Sequence, residues 1–151
     1  MLPLSWCVRE TSSVATAEPV PVDGPDSAAK LLIPYLRPQR KEMFVVLCMD
    51  VRSRATAIRL VSMGSLNASI VHPREVFFEA IQESAASIII AHNHPSGDPT
   101  PSPEDMAVTR KMVAAGEIMG IPVLDHLVIG SHRVESCMPE SKLRPFLTHA
   151  A

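Results

Sequence analysis

Apolar residues in this chain fall into short unbroken runs and into longer segments with one apolar face, and the two kinds alternate. MFVVLCM at 43–49 is an uninterrupted apolar run bounded by charge, which predicts a strand buried on both faces. The polar turn DVRSR leads from it into ATAIRLVSM at 55–63, a second strand-like stretch, so the pair predicts a hairpin. Pro73 then stands where a first helical position would be. Val76, Phe77, Ala80 and Ile81 recur at helical spacing through PREVFFEAIQESA. SIIIA follows directly and is the strongest buried-strand signal in the chain. Beyond the polar stretch HNHPSGDPTPS, Ser102 before Pro103 marks another helix start. Met106, Thr109, Met112 and Val113 share one face of that helix and Gly120 ends it.

Upstream, Asp26 or Ser27 is a cap for a helix running through AAKLLIPYL, whose last turn Pro34 should kink or shorten. Downstream, IPVLDHLVIG and HRVES read as strands ahead of a tail of open helicity. Strands alternating with helices predict an α/β fold, mixed α+β in detail, with a central mixed sheet flanked by helices. Residues 1 to 24 mix Pro, Ser, Thr, Ala and Val without a sustained period. They predict a poorly ordered leader, with the folded domain at 25–151.

Composition adds limits. A chain of 151 residues, 46% hydrophobic and 20% charged, has the size and balance of one soluble globular domain. Its formal net charge of -2 gives no general attraction for nucleic acid or anionic membrane. Arg37, Arg40, Lys41, Arg52, Arg54 and Arg59 read as solvated surface charge, so direct nucleic-acid binding is not expected. Cys7, Cys48 and Cys137 are odd in number and widely spaced, which argues for a reducing, cytoplasmic setting and against a thiolate metal site. No stretch reads as an export signal or a membrane anchor.

His92 and His94 stand two apart at the end of the SIIIA strand, where residues i and i+2 point to one face, so both imidazoles could reach one ion. Asp105, third in the helix capped by Ser102, could turn its carboxylate back toward the strand end. Two nitrogens and one oxygen with a fourth position open form the ligand set of a catalytic zinc, one ion per chain. Asp105 has a competing reading as a capping-box partner in the place glutamate usually takes. Three prolines and Gly97 in the intervening loop favour a fixed geometry there. Asp125 or His126 of VLDHLVIG is a candidate to orient the histidines, although a strand-borne pair is equally well read as structural.

The order His92-Asn93-His94-Pro95, then Ser102, then Asp105 resembles the JAMM motif of the JAB/MPN metalloproteases. The fuller string from HPREVFFEAIQESAASIIIAHNHPSGDPTPS to VLDHLVIG resembles the RadC branch, and the similarity runs from about residue 25 to the C-terminus. That resemblance implies a single JAB/MPN-like domain of cytidine-deaminase-like architecture. It implies zinc on His92, His94 and Asp105, and an oxyanion steadied by Ser102. It also implies a glutamate from an upstream strand as general base, cutting a peptide or isopeptide bond in a peptide or protein substrate. Glu42, at the start of MFVVLCM, is the choice for that base. Glu75 at a helix start is the alternative, since a helix dipole would favour a charge there in any case. Glu79, Glu83 and Glu104 read as solvated helix faces. Many RadC-like proteins carry an N-terminal helix-hairpin-helix domain, which is not expected here because the leader is short. The competing reading implied by the same resemblance is a binding module associated with DNA repair and without hydrolytic activity. The letters HNH alone do not make a nuclease motif, and the H-x-E and P-C-x-x-C of zinc deaminases are missing.

Overall fold

The computed structural model describes residues 13–64 and 71–138. In chain order these form β1 (Ser13–Pro21), α1 (Pro25–Leu36), β2 (Met43–Met49), β3 (Arg54–Met63), α2 (Pro73–Gln82), β4 (Ser87–Asn93), α3 (Pro103–Met119), β5 (Val123–Ile129) and β6 (Val134–Ser136). The strands make one sheet in the order β1-β3-β2-β4-β5-β6. Only the β4–β5 pair, joined through α3, is parallel. This is the expected mixed sheet, and β2 and β3 form the expected hairpin.

The unbroken apolar runs sit at the centre because both faces of the sheet are covered. Every residue of β2, β4 and β5 is buried. Val45, Leu47 and Met49 of β2 with Ile89 and Ala91 of β4 pack against Ala28, Ala29, Leu32 and Leu36 of α1. The alternate residues Phe44, Val46, Cys48, Ile88 and Ile90 pack against Val76, Phe77 and Ala80 of α2 and Val108 and Met112 of α3. Period-two alternation therefore sends neighbouring side chains into two separate cores, one on each face.

Several expectations are corrected. The leader expected over residues 1 to 24 is a strand at 13–21, and Val22 is buried in the core under α1. β1 pairs antiparallel with β3 through backbone hydrogen bonds, which need no side-chain period. Its place on the sheet edge tolerates Pro19 and Pro21. Residues 1–12 and the C-terminal tail from 139 lie outside the described residues. Helix α1 is capped at Gly24, not at Asp26 or Ser27. Ser27 sits at the third helical position and its Oγ accepts the N–H groups of Asp23 (3.0 Å) and Gly24 (3.2 Å). Pro34 lies within α1, which runs on to Leu36. Ile81 of α2 is 53% exposed, and the buried stripe of α3 is Asp105, Val108, Thr109, Met112 and Gly116, without Met106.

Gly116 shows how closely α3 returns to the sheet. A Cβ there would lie 2.6 Å from the Ile121 carbonyl oxygen, which belongs to the turn into β5. Replacing glycine by alanine inside a helix ordinarily adds roughly 0.5–1 kcal/mol of stability. At Gly116 the backbone clash reverses that sign. Gly116→Ala is expected to lose about 1–3 kcal/mol by overpacking, read as a lower midpoint in urea unfolding with unchanged slope.

Candidate metal centre

The site forms where β4 ends, beside the parallel neighbour β5 and under the start of α3. His92 is the last inward-facing residue of β4 on the α2/α3 side and is 1% exposed. The His94 N–H donates to the Ile129 carbonyl at 3.0 Å, so the chain keeps strand alignment for one more residue and His94 points the same way as His92. The chain then turns sharply. The Gly97 N–H donates to the His94 carbonyl at 2.9 Å, and Gly97 has φ +92°, a backbone region that glycine enters freely. Asp98 Oδ1 accepts from the backbone N–H and the hydroxyl of Thr100, which fixes the loop between turn and helix.

Helix α3 opens with a reciprocal cap. Ser102 Oγ accepts the Asp105 N–H at 3.1 Å, and Asp105 Oδ2 accepts the Ser102 N–H at 2.8 Å. The same carboxylate meets both histidines, with Oδ1 3.1 Å from His92 Nε2 and Oδ2 3.2 Å from His94 Nε2. The two readings of Asp105 are thus compatible, because the cap is what aims the carboxylate at the strand end. The two Nε2 atoms are 3.0 Å apart.

On the far sides of the rings, His94 Nδ1 lies 2.8 Å from the Asp98 carbonyl oxygen, and His92 Nδ1 lies 2.9 Å from His126 Nε2. His126 Nδ1 in turn lies 2.6 Å from Thr109 Oγ1. Phe44 stacks on His92 with centroids 6.0 Å apart and meets His126 edge-on at 5.6 Å. With both Nδ1 atoms engaged elsewhere, two Nε2 atoms and a carboxylate converge, and such a set is stable only around positive charge.

The acid–base balance fits that description. Burial opposes ionisation of Asp105, but the imidazoles of His92 and His94 beside it outweigh burial and hold the carboxyl well below the usual carboxylate range. The hydrogen bond to Asp105 raises His94 above the ordinary imidazole value, against the effect of burial. Desolvation pushes His126 well below it.

His92, His94 and Asp105 form a group that could hold a metal ion. Donor atoms about 2.0 Å from a tetrahedral ion would lie roughly 3.3 Å from one another, close to the observed separations. The donor set is two nitrogens and a carboxylate, without thiolate.

A cavity of about 350 Å³ opens onto this group, lined by Glu42, His94, Pro95, Ser96, Ser102, Glu104 and Asp105. A second of about 400 Å³, lined by Lys41, Glu42, Gly64 and Pro95, shares Glu42 and Pro95 with it. Glu42 is therefore brought to the cavity wall beside the ligands. Its backbone is held from both sides by buried Asn93, whose Oδ1 accepts the Met43 N–H at 2.7 Å and whose Nδ2 donates to the Lys41 carbonyl at 3.0 Å. Glu75 is exposed on α2, pairs with Arg74 at 3.8 Å and lines neither cavity.

Among the carboxylates first read as solvated, Glu104 lines the cavity and Glu83 is ion-paired with Arg59 in a mostly buried contact. Of the pair 125 and 126, His126 touches His92. Asp125 points to the opposite face of β5, where Oδ1 accepts from Ser136 Oγ and the His126 N–H. Thr109 and Asn93 escaped sequence reasoning as site residues, because each reads locally as ordinary helix or strand interior.

Comparison with known proteins places these residues in a wider group. Residues 22–143 match a family model described as RadC-like JAB domain. The chain is 52% identical over 123 residues to a UPF0758 protein of Methanosarcina barkeri, covering 82% of this chain and 54% of that protein. It is 54% identical over 112 residues to one of Caldanaerobacter subterraneus, covering 74% and 48%. It is 61% identical over 95 residues to one of Pelobacter propionicus, covering 63% and 42%. The chain spans about half the length of the curated relatives it matches. No helix among the described residues is long and apolar enough to cross a membrane.

Proposed function

Since this chain belongs to the RadC-like JAB domain family, we propose that it is a zinc-dependent hydrolase of JAMM type that cuts a peptide or isopeptide bond. The observation that carries the reading is the convergence of two imidazole Nε2 atoms and the Asp105 carboxylate on a cavity that also presents Glu42 and Ser102. His92, His94 and Asp105 would hold the ion. Bound zinc supplies a water of pKa near 7 and polarises a carbonyl.

The chain's own groups do the rest. Glu42, on the cavity wall, takes a proton from the attacking water and delivers it to the amine nitrogen as the carbon–nitrogen bond breaks. Ser102 Oγ already accepts the Asp105 N–H, so its own proton is left to donate to the carbonyl oxygen as negative charge grows there. Water and the amide give a carboxylic acid and an amine. Asn93 fixes the backbone on both sides of Glu42.

The test is elemental analysis of protein purified without affinity-tag metals, followed by incubation of the same sample with a broad peptide library. One zinc per chain and cleavage removed by a chelator are expected. Iron in place of zinc, or zinc-loaded protein that cuts nothing while binding DNA tightly at physiological salt, would overturn the reading.

A further inference from the structure

Behind the ligands runs a chain of polar groups that the reaction itself does not use. Asp105 contributes its backbone carbonyl, which can only accept, and the Thr109 hydroxyl donates to it at 2.7 Å. That contact uses the one proton Thr109 has. Thr109 Oγ1 is then the acceptor in its 2.6 Å contact with His126, so the proton lies on His126 Nδ1. His126 is fully buried and its two ring nitrogens meet a hydroxyl and a second imidazole, neither of which balances a charge, and a neutral imidazole with a proton on Nδ1 has a lone pair on Nε2. His126 Nε2 must therefore accept from His92 Nδ1 across 2.9 Å, which leaves Nε2 of His92 as the nitrogen facing Asp105 and His94. The direction of every bond follows from a carbonyl oxygen on α3 that has no proton to give.

We propose that Thr109 and His126 are positioning residues that lock His92 in the tautomer able to ligate a metal ion through Nε2. All three side chains are buried, with His126 fully so, and none of them lines either of the two cavities beside Glu42. Phe44 closes it from the side by packing on both rings. The arrangement also links the ligands to each other. Asp105 supplies a carboxylate to the cluster and, through its own carbonyl, sets the proton order that ends at His92. A partner fixing the far nitrogen of a ligating histidine typically changes metal affinity by roughly 10- to 100-fold.

The inference rests on the metal site of the proposed function but not on hydrolysis. It is tested by measuring zinc affinity in competition with a chelator for the wild type, Thr109→Val and Thr109→Ser, with no peptide present. Thr109→Val keeps the side chain's shape and removes the hydroxyl, and a zinc dissociation constant roughly 10- to 100-fold higher is expected. Thr109→Ser restores the hydroxyl and should stay within a few-fold of wild type. Histidine side-chain nitrogen–proton spectra of the zinc-free wild type at mildly alkaline pH supply the signature that packing alone would not move, and His92 should carry its proton on Nδ1. In Thr109→Val that assignment should become mixed. If Thr109→Val binds zinc like wild type, or if His92 in the wild type carries its proton on Nε2, the proposal is wrong. A wild type that binds no zinc at all would instead remove the proposed function on which it stands.

Discussion

Glu42→Gln is expected to fold, keep its zinc and lose hydrolysis by a factor of roughly 10² or more, the usual scale for removing a general acid–base group. Glutamine keeps the size of the side chain and cannot take up a proton. Glu42 lines the cavity without belonging to the three-ligand group, so metal content should be unaffected. The backbone contacts that hold this position, from Asn93 to Met43 and Lys41 and from the Gly64 N–H to the Glu42 carbonyl, do not involve the carboxylate and survive the change. Glu75→Gln serves as the comparison, because Glu75 is exposed on α2 and lines neither cavity. It should match wild type. Rates are to be measured on a peptide found in the library screen, with zinc determined on the same samples. A Glu42→Gln enzyme of full activity would remove Glu42 from the mechanism. An inactive, zinc-loaded Glu75→Gln would move the base to the start of α2.

Asp105→Ala should have two separable effects, since one carboxylate serves two purposes. Losing a ligand from the three-member group should weaken zinc binding by more than the roughly 10- to 100-fold typical of residues that only support ligands. Losing the acceptor of the Ser102 N–H also breaks half of the reciprocal cap on α3, costing about 0.5–2 kcal/mol in the metal-free protein. His92→Ala and His94→Ala should lose zinc in the same way, while leaving the cap intact. Chelator competition gives the affinity, and urea unfolding of metal-free samples gives the stability. Asp105→Ala that binds zinc as tightly as wild type would show that the carboxylate is a cap and not a ligand. Zinc should raise the unfolding midpoint of wild type and leave that of Asp105→Ala nearly unchanged, because only the native wild-type site gains from binding.

The sequence alone determined the elements whose signals are local. MFVVLCM and SIIIA are unbroken apolar runs because β2 and β4 lie mid-sheet with both faces covered, and a run of that kind can be read without knowing its neighbours. Helix α3 was equally legible, since Ser102, Pro103 and Gly120 act on the backbone within a few residues of themselves. The convergence of His92, His94 and Asp105 was also legible, because strand alternation puts His92 and His94 on one face and a helix start can bring Asp105 back to it.

What only the tertiary structure decided depends on pairing between distant segments. β1 is held by backbone bonds to β3, which leave no mark in a side-chain pattern, and so its residues read as a leader. Ile81 and Met106 fit a helical period but face outward or only partly inward, because the sheet chooses which stripe of a helix it covers. The closeness of Glu42 to the histidines depends on antiparallel pairing, which sets Phe44 opposite His92 and brings the start of β2 to the end of β4. His126 could not be told from Asp125 by spacing. The parallel register sets His126 beside Ile90, one inward position before His92, and alternation alone sends Asp125 to the other core. Thr109 looked like helix interior for the same reason, since a hydroxyl becomes part of a site only when folding supplies the imidazole it meets.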